Sequence, residues 1–264
     1  MKDINSIIHE DLKDRFNSLL ICEPVLRDII YEVLTIGGVY ILGGYVRDVI
    51  YDKENRDLDI IVDISPEQLY SVLNNNKCND CVNRLGGVKL RLDHIDVDIW
   101  SINNNWAFIN NLVKLNENDK LQSIAKGCFY NYDALVVSVP KFLYNIRYYK
   151  EFVEKKELDI IQRKSSYKKL NPTVEANIIR ATYIKKLYSV SFSDNLRNYL
   201  TREILALKDK YGDVINRLMM MKQFYPKYDF VLESDLKAMI KDLFDNNRPS
   251  LFDLENIKII RNYQ

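Results

Sequence analysis

Two short apolar runs carry aspartate at every second position, and they constrain the chain more than anything else in it. Residues 57–62 read Asp-Leu-Asp-Ile-Ile-Val, and residues 95–100 read Ile-Asp-Val-Asp-Ile-Trp. On a strand, residues i and i+2 share a face. Asp57 and Asp59 therefore point one way while Leu58, Ile60 and Val62 point into a core. Asp96 and Asp98 stand likewise against Ile95, Val97 and Ile99. Aspartate is disfavoured in strands, and adjacent carboxylates repel unless a cation lies between them. Two such runs ask for a reason, and a divalent-metal site supplies one, because hard oxygen ligands suit Mg²⁺ or Mn²⁺. If the strands are neighbours, three or four carboxylates converge. Such a set can hold two ions about 4 Å apart, as in-line phosphoryl and nucleotidyl displacement requires.

The surrounding pattern predicts a mixed α/β front. Helical spacing runs through Ile7, Ile8, Leu12, Phe16, Leu19 and Leu20, is interrupted at Pro24, and resumes to about Leu34. Val39–Leu42 is a short buried strand, stopped by Gly43-Gly44, and Tyr45–Tyr51 is helical. Ser65-Pro66-Glu67 starts a helix that runs to about Leu73. Val82–Leu85 and Val88–Leu92 flank Gly86-Gly87 as a hairpin. A last strand falls at Ala134–Val139. Beyond about Lys164 helices dominate, over Val174–Tyr188, Asp194–Lys210, Asp213–Gln223 and Ser234–Asp245. The expected architecture is α+β: a mixed sheet with flanking helices over residues 1–140, then an all-helical region over 141–264.

With 264 residues and 47% hydrophobic content the chain can bury a substantial core, and it is neither a disordered nor a disulfide-stapled chain. No run of 18 apolar residues suggests a membrane span. The start MKDINSIIHEDLKDRF does not read as a signal peptide, and four Cys make no disulfide framework, so a reduced, cytoplasmic home is expected. Cys78-x-x-Cys81 has no second ligand pair for zinc. His94 precedes the second acidic run and borders it.

Gly43-Gly44-Tyr45-Val46-Arg47-Asp48 is a strand-to-helix turn. Glycine lets a backbone approach a ligand closely, and a helix N-terminus suits a phosphate. Taken whole, Val39-Tyr40-Ile41-Leu42-Gly43-Gly44-Tyr45-Val46-Arg47-Asp48 followed by Arg56-Asp57-Leu58-Asp59-Ile60-Ile61-Val62 resembles the head domain of the bacterial poly(A) polymerase and CCA-adding enzyme group, within the DNA polymerase beta-like nucleotidyltransferase superfamily. Phe129–Leu135 resembles the segment that closes that head, and Ile178-Ile179-Arg180-Ala181 the opening of its helical neck. The resemblance implies a fold of the nucleotidyltransferase type and an NTP substrate. Gly43 and Gly44 would lie against the triphosphate, Arg47 and Asp48 would orient the nucleotide or brace the turn, and Arg56 would reach a phosphate. Asp57 and Asp59 would ligate both metals, and Asp96 would complete the set, with Asp98 the alternative third ligand. The chain departs from the group at Ala125-Lys126-Gly127-Cys128, where an Arg-Arg-Asp is usual, and around Thr173–Asn177, where the base-reading Glu-Asp-x-x-Arg is not recognisable. The catalytic head is therefore better supported than CCA specificity.

Charge is unevenly spread. Residues 1–120 hold 13 Lys and Arg against 20 Asp and Glu, and residues 141–190 hold 12 against 5. In the basic segment Lys164, Lys168, Lys169, Arg180 and Lys185, interleaved with Tyr148, Tyr149, Tyr167, Tyr183 and Tyr188, suit an RNA backbone and stacked bases. The expected reaction moves NMP from NTP to an RNA 3′ end, tRNA-like, releasing pyrophosphate. The alternatives are a small-molecule or protein hydroxyl as acceptor, or a head that binds without turnover.

Overall fold

A computed structural model of the protein describes residues 3–55, 57–78, 82, 86–162 and 173–246. It divides into two compact units, residues 1–155 with 159–169 and residues 156–158 with 170–264. The 1–140 boundary expected from the sequence falls inside the first unit, because the helix that follows it packs on residues 131–133.

The first unit opens with a short helix Ile4–Ser6, a wider π-helical stretch Ile7–Leu12, and α1, Lys13–Cys22. Glu23 breaks the run and Pro24 takes the first position of α2, Pro24–Ile36, where its missing N–H costs nothing. Strand β1 (Val39–Leu42) leads directly into α3 (Gly43–Ile50), then come β2 (Asp57–Val62) and α4 (Pro66–Asn75). Helix α4 starts with a complete capping box: Ser65 accepts the Gln68 backbone N–H while the Gln68 side chain accepts from the Ser65 N–H. Next are β3 (Val88–Arg91), β4 (Asp96–Ser101), the short helix α5 (Trp106–Ile109), α6 (Lys120–Lys126), β5 (Val136–Val139), β6 (Tyr144–Asn145) and α7 (Arg147–Lys155). The hairpin partner expected at Val82–Leu85 appears as one bridge, Val82 to Val88, and residues 83–85 lie outside the described residues.

Six strands form one sheet in the order β3-β4-β2-β1-β5-β6. Only β2 and β4 run parallel; the other neighbours are antiparallel. One face is continuously apolar. Leu90, Val97, Ile99, Leu58, Ile60, Val62, Val39, Ile41 and Val137 are all fully buried on it. The other face changes character along the strands. At one end Ile61, with Tyr40 and Trp100, packs under Ile124 and Ala125 of α6 and beside Val136. At the other end stand the aspartates.

The second unit contains α8 (Val174–Tyr188), α9 (Asp194–Tyr211), α10 (Val214–Lys222) and α11 (Glu233–Asn246). Its helices start on side-chain caps from Thr173, Ser193 and Asp213. A two-residue parallel pair, β7 (Glu157–Leu158) with β8 (Ser191–Phe192), accompanies them, an element that the helical periodicity does not announce. Buried Glu175 accepts two bonds from Arg217, at 2.9 and 2.7 Å, which joins α8 to α10.

Replacing Ser65 with Ala removes one half of the α4 capping box. The expected loss is about 1 kcal/mol of stability, read as a lowered urea midpoint at unchanged slope.

Candidate active site

The parallel register settles which acids face which. Asp57 pairs with Asp96 and Asp59 with Asp98, so the four carboxylates lie on the same face in two rungs of neighbouring strands, whose spacing is roughly 4.8 Å. The antiparallel partner β3 extends both rungs, with Arg91 opposite Asp96 and Lys89 opposite Asp98. On the other side Leu42, the last residue before the glycines, pairs with Asp59. The site is thus a ribbon of cation, anion, anion across three strands, ending at the glycine corner.

At that corner Gly43 takes a positive φ of 40°, and its N–H donates to the Leu135 carbonyl at 2.9 Å. A Cβ there would stand 3.1 Å from the Asp133 carbonyl oxygen. Gly44 is different: a Cβ there would meet Asp57 Oδ1 at 3.6 Å and Arg47 Nη2 at 3.9 Å, which is ordinary contact. Both glycines form the first turn of α3, which begins two residues before the helix expected at Tyr45. No side chain caps this helix, in contrast to α4. Its first N–H groups have no intrahelical partner; that of Gly43 is taken by the Leu135 carbonyl.

Arg47 turns toward the segment that closes the head. It donates to the Tyr132 carbonyl at 3.2 Å, lies 3.8 Å above the Tyr132 ring, and approaches Asp133 Oδ1 at 3.7 Å with both side chains largely covered. These contacts hold Arg47 against residues 132 and 133. Asp48, one residue on, is half-buried. Arg56 lies outside the described residues.

Lys89 was not among the residues singled out from the sequence. Its Nζ is 2.9 Å from Asp96 Oδ2 and 3.9 Å from Asp98 Oδ2. The hydrogen bond to Asp96 is the main reason that the Lys89 ammonium titrates above the usual lysine range. Alternation in Val88-Lys89-Leu90-Arg91 was the available signal: both cations share a face, and that face joins the acids once β3 pairs with β4.

Glu23 is a second residue that sequence reasoning missed. Its carboxylate is buried, accepts the His94 backbone N–H at 2.8 Å, and sits 2.8 Å from His94 Nδ1. His94 thus pins the loop entering β4 to the break between α1 and α2, although most of its side chain is exposed. A cavity of about 400 Å³ lies beside it, bordered by Arg15, Tyr45, Asn55 and His94.

Among the described residues no three of His, Cys, Asp and Glu stand gathered as a ready metal-binding group. The donor chemistry nonetheless fits a divalent ion: the acids are hard oxygen donors in aligned rungs, Asp57 exposed and the other three half-buried, and two of them already share a cation, the Lys89 ammonium.

The residues expected to contact RNA are placed unevenly. Lys164, Lys168 and Lys169 lie outside the described residues, as does Tyr167. Arg180 is half-exposed on α8. Lys185 is engaged within its own unit, its Nζ 2.7 Å from Asp242 Oδ2 and over the Phe192 ring. Tyr149 is a core residue, 1% exposed, with its hydroxyl bonded to that of Tyr51, so it offers no base-stacking surface. Cys81 also lies outside the described residues.

Gly44→Ala should leave stability unchanged or raise it by about 0.4–1 kcal/mol, whereas Gly43→Ala, at positive φ and against a carbonyl, should lose about 1–3 kcal/mol. Paired urea melts of the two variants check this.

The family model for the poly A polymerase head domain matches residues 39–120. No curated protein matches the chain in sequence. Among solved structures, a CCA-adding enzyme in complex with CTP is similar with a TM-score of 0.60 at 12% identity, covering 92% of this chain and 55% of that one. A CCA-adding enzyme in complex with ATP gives 0.61 at 13%, covering 99% and 61%. The Thermotoga maritima CCA-adding enzyme complexed with tRNA(CCA) gives 0.60 at 13%, covering 99% and 60%. The chain spans less than two thirds of the length of these enzymes, and at such identities the likeness is one of fold. The resemblance carried by residues 39–63 thus reaches residue 120 in sequence, and the front of this chain is similar to the poly A polymerase head domain.

Proposed function

We propose that the protein is a metal-dependent nucleotidyltransferase that moves a nucleoside monophosphate from NTP to the 3′ end of an RNA, with release of pyrophosphate. The observation that carries this reading is the alignment of Asp57 with Asp96 and Asp59 with Asp98 next to an uncapped helix that starts on two glycines. The head-domain match over residues 39–120 and the fold likeness to CCA-adding enzymes support the same chemistry.

In this reading Asp57, Asp59 and Asp96, or Asp98 in its place, would hold Mg²⁺ or Mn²⁺. Bound there, divalent ions supply Lewis-acid neutralisation of the phosphate oxygens. The chain's own residues do the rest. Gly43 and Gly44 leave room for a triphosphate tail against the α3 N-terminus, where the N–H groups after Gly43 and the helix dipole favour negative charge. Asp48 and Arg47 keep that turn in place, Arg47 through Tyr132 and Asp133, and Arg56 reaches a phosphate. The carboxylate not fully used by metal takes the proton from the attacking hydroxyl. Lys164, Lys168, Lys169 and Arg180 attract the RNA backbone. Lys185 contributes less than its formal charge, since Asp242 neutralises it.

Asp57→Asn and Asp59→Asn should each abolish transfer of labelled NMP from any NTP to cellular RNA in Mg²⁺, while circular dichroism and melting stay close to wild type. Full transfer by either variant overturns the assignment. RNA binding should weaken steeply with salt, by roughly 0.7 in the log–log slope for each phosphate neutralised. Transfer that ignores salt, and that needs a small molecule or a protein instead of RNA, identifies a different acceptor. Nucleotide binding without transfer to any of these identifies a head that does not turn over.

A further inference from the structure

We propose that Lys89 is the resident counter-ion of the acidic face, a positioning residue that a divalent cation must displace before the site is loaded. The inference rests on the metal-dependent reading above and adds to it a device that sets metal affinity.

The charge balance requires something of this kind. Asp57, Asp59, Asp96 and Asp98 occupy adjacent positions on two neighbouring strands, and carboxylates so placed repel one another. The described cations that share their face on the neighbouring strand are Arg91, opposite Asp96, and Lys89, opposite Asp98. Arg91 is exposed. Lys89 reaches back across its rung to Asp96 at 2.9 Å while staying 3.9 Å from Asp98, so a single ammonium serves both acids of β4. The same contact holds Asp96 toward β3. Among the described residues no three acids stand gathered for a metal.

The arrangement is reversible by construction. Lys89 side-chain exposure is 37%, and Asp96 and Asp98 are 43% and 30% exposed. A half-exposed ion pair of this sort is weak, and a lysine stem is flexible enough to swing its ammonium into solvent. A doubly charged ion ligated by acids of both strands outcompetes one ammonium held by hydrogen bonds.

Direct Mn²⁺ binding to the full-length chain, followed by the electron paramagnetic resonance signal of free Mn²⁺ in the absence of nucleotide, tests this. Lys89→Met should bind Mn²⁺ about two- to fivefold more tightly than wild type, the size of effect expected on releasing a partly exposed ion pair. Lys89→Arg, which keeps the charge, should bind like wild type. Without metal, Lys89→Met should also melt below wild type, and Mn²⁺ should raise its melting temperature by more. Lys89→Gln repeats both measurements should the methionine variant fold poorly. Equal or weaker Mn²⁺ binding by the neutral variants, with wild type binding normally, overturns the role of Lys89 and leaves the proposed function standing. Absence of Mn²⁺ binding in wild type and neutral variants alike overturns both.

Discussion

Everything at the head depends on one pairing, the parallel ladder between β2 and β4. Side chains alternate with a period of two along a strand, so a slip by one residue would send every acid to the opposite face. The ladder sets Asp57 beside Asp96 and Asp59 beside Asp98, an arrangement that is electrostatically unfavourable on its own. A pair of unit charges 4 Å apart costs about 1 kcal/mol in water and about 4 kcal/mol at the effective dielectric of a protein surface. Against this stand Leu58, Ile60, Val62, Val97 and Ile99, all fully buried on the reverse face. Each contributes roughly 1.5–3 kcal/mol on burial. The apolar layer wins, and the acids are held in register whether or not they like one another.

The same strands are closed at one end and open at the other, and this polarity turns a sheet into a site. Past the second rung, Ile61 and Trp100 go under α6, and Lys120 at the start of that helix is bonded to Asp63, just beyond β2. Toward the first rung Asp57 is exposed, and among the described residues the small Gly44 stands beside it. The strand Val39–Leu42 lies between β2 and β5, so its C-terminal end is fixed from both sides, and Gly43 is anchored further by the Leu135 carbonyl. The glycine corner is therefore a rigid rim. Arg47 extends that rigidity to Tyr132 and Asp133 through a partly buried fork of contacts, and a charged group so placed is costly to leave without its partner.

The acids, the glycines and the long helices were legible because each follows a local rule: a period of two, a period of 3.6, or a cap residue in front of an apolar run. Val174–Tyr188 has the same limits in sequence and structure, and the structure adds Thr173 as its cap. What was not legible depends on partners far away in the chain. Lys89 looks like an ordinary polar position on an edge strand until β3 pairs with β4. Glu23 looks like a helix breaker, and only the loop at His94 gives its buried carboxylate a reason. Tyr149 sat in a basic, tyrosine-rich stretch, and neither charge nor composition distinguishes a tyrosine that faces solvent from one that meets Tyr51 and Phe152 inside.

The same distinction governs how the basic segment should be weighed. A count of lysines and arginines measures formal charge, whereas a polyanion responds to the charge left after internal pairing. In the second unit Lys185 is paired with Asp242 and Lys186 with Asp235, each at 2.7 Å, and Arg197 also reaches Asp242. These bonds join α8 and α9 to α11, and they are not given up without loosening the helices. The excess of 12 over 5 in residues 141–190 therefore overstates the field that an RNA would meet on α8. The acidic front works in the opposite sense: its aspartates are crowded on one face, where among the described residues Lys89 and Arg91 are the cations that β3 sets opposite them. On the proposed function, a backbone phosphate would be repelled there until divalent ions neutralise the acids. Metal loading would then act on the substrate's approach as well as on its chemistry, because the same ions would remove the repulsion that keeps a polyanion away.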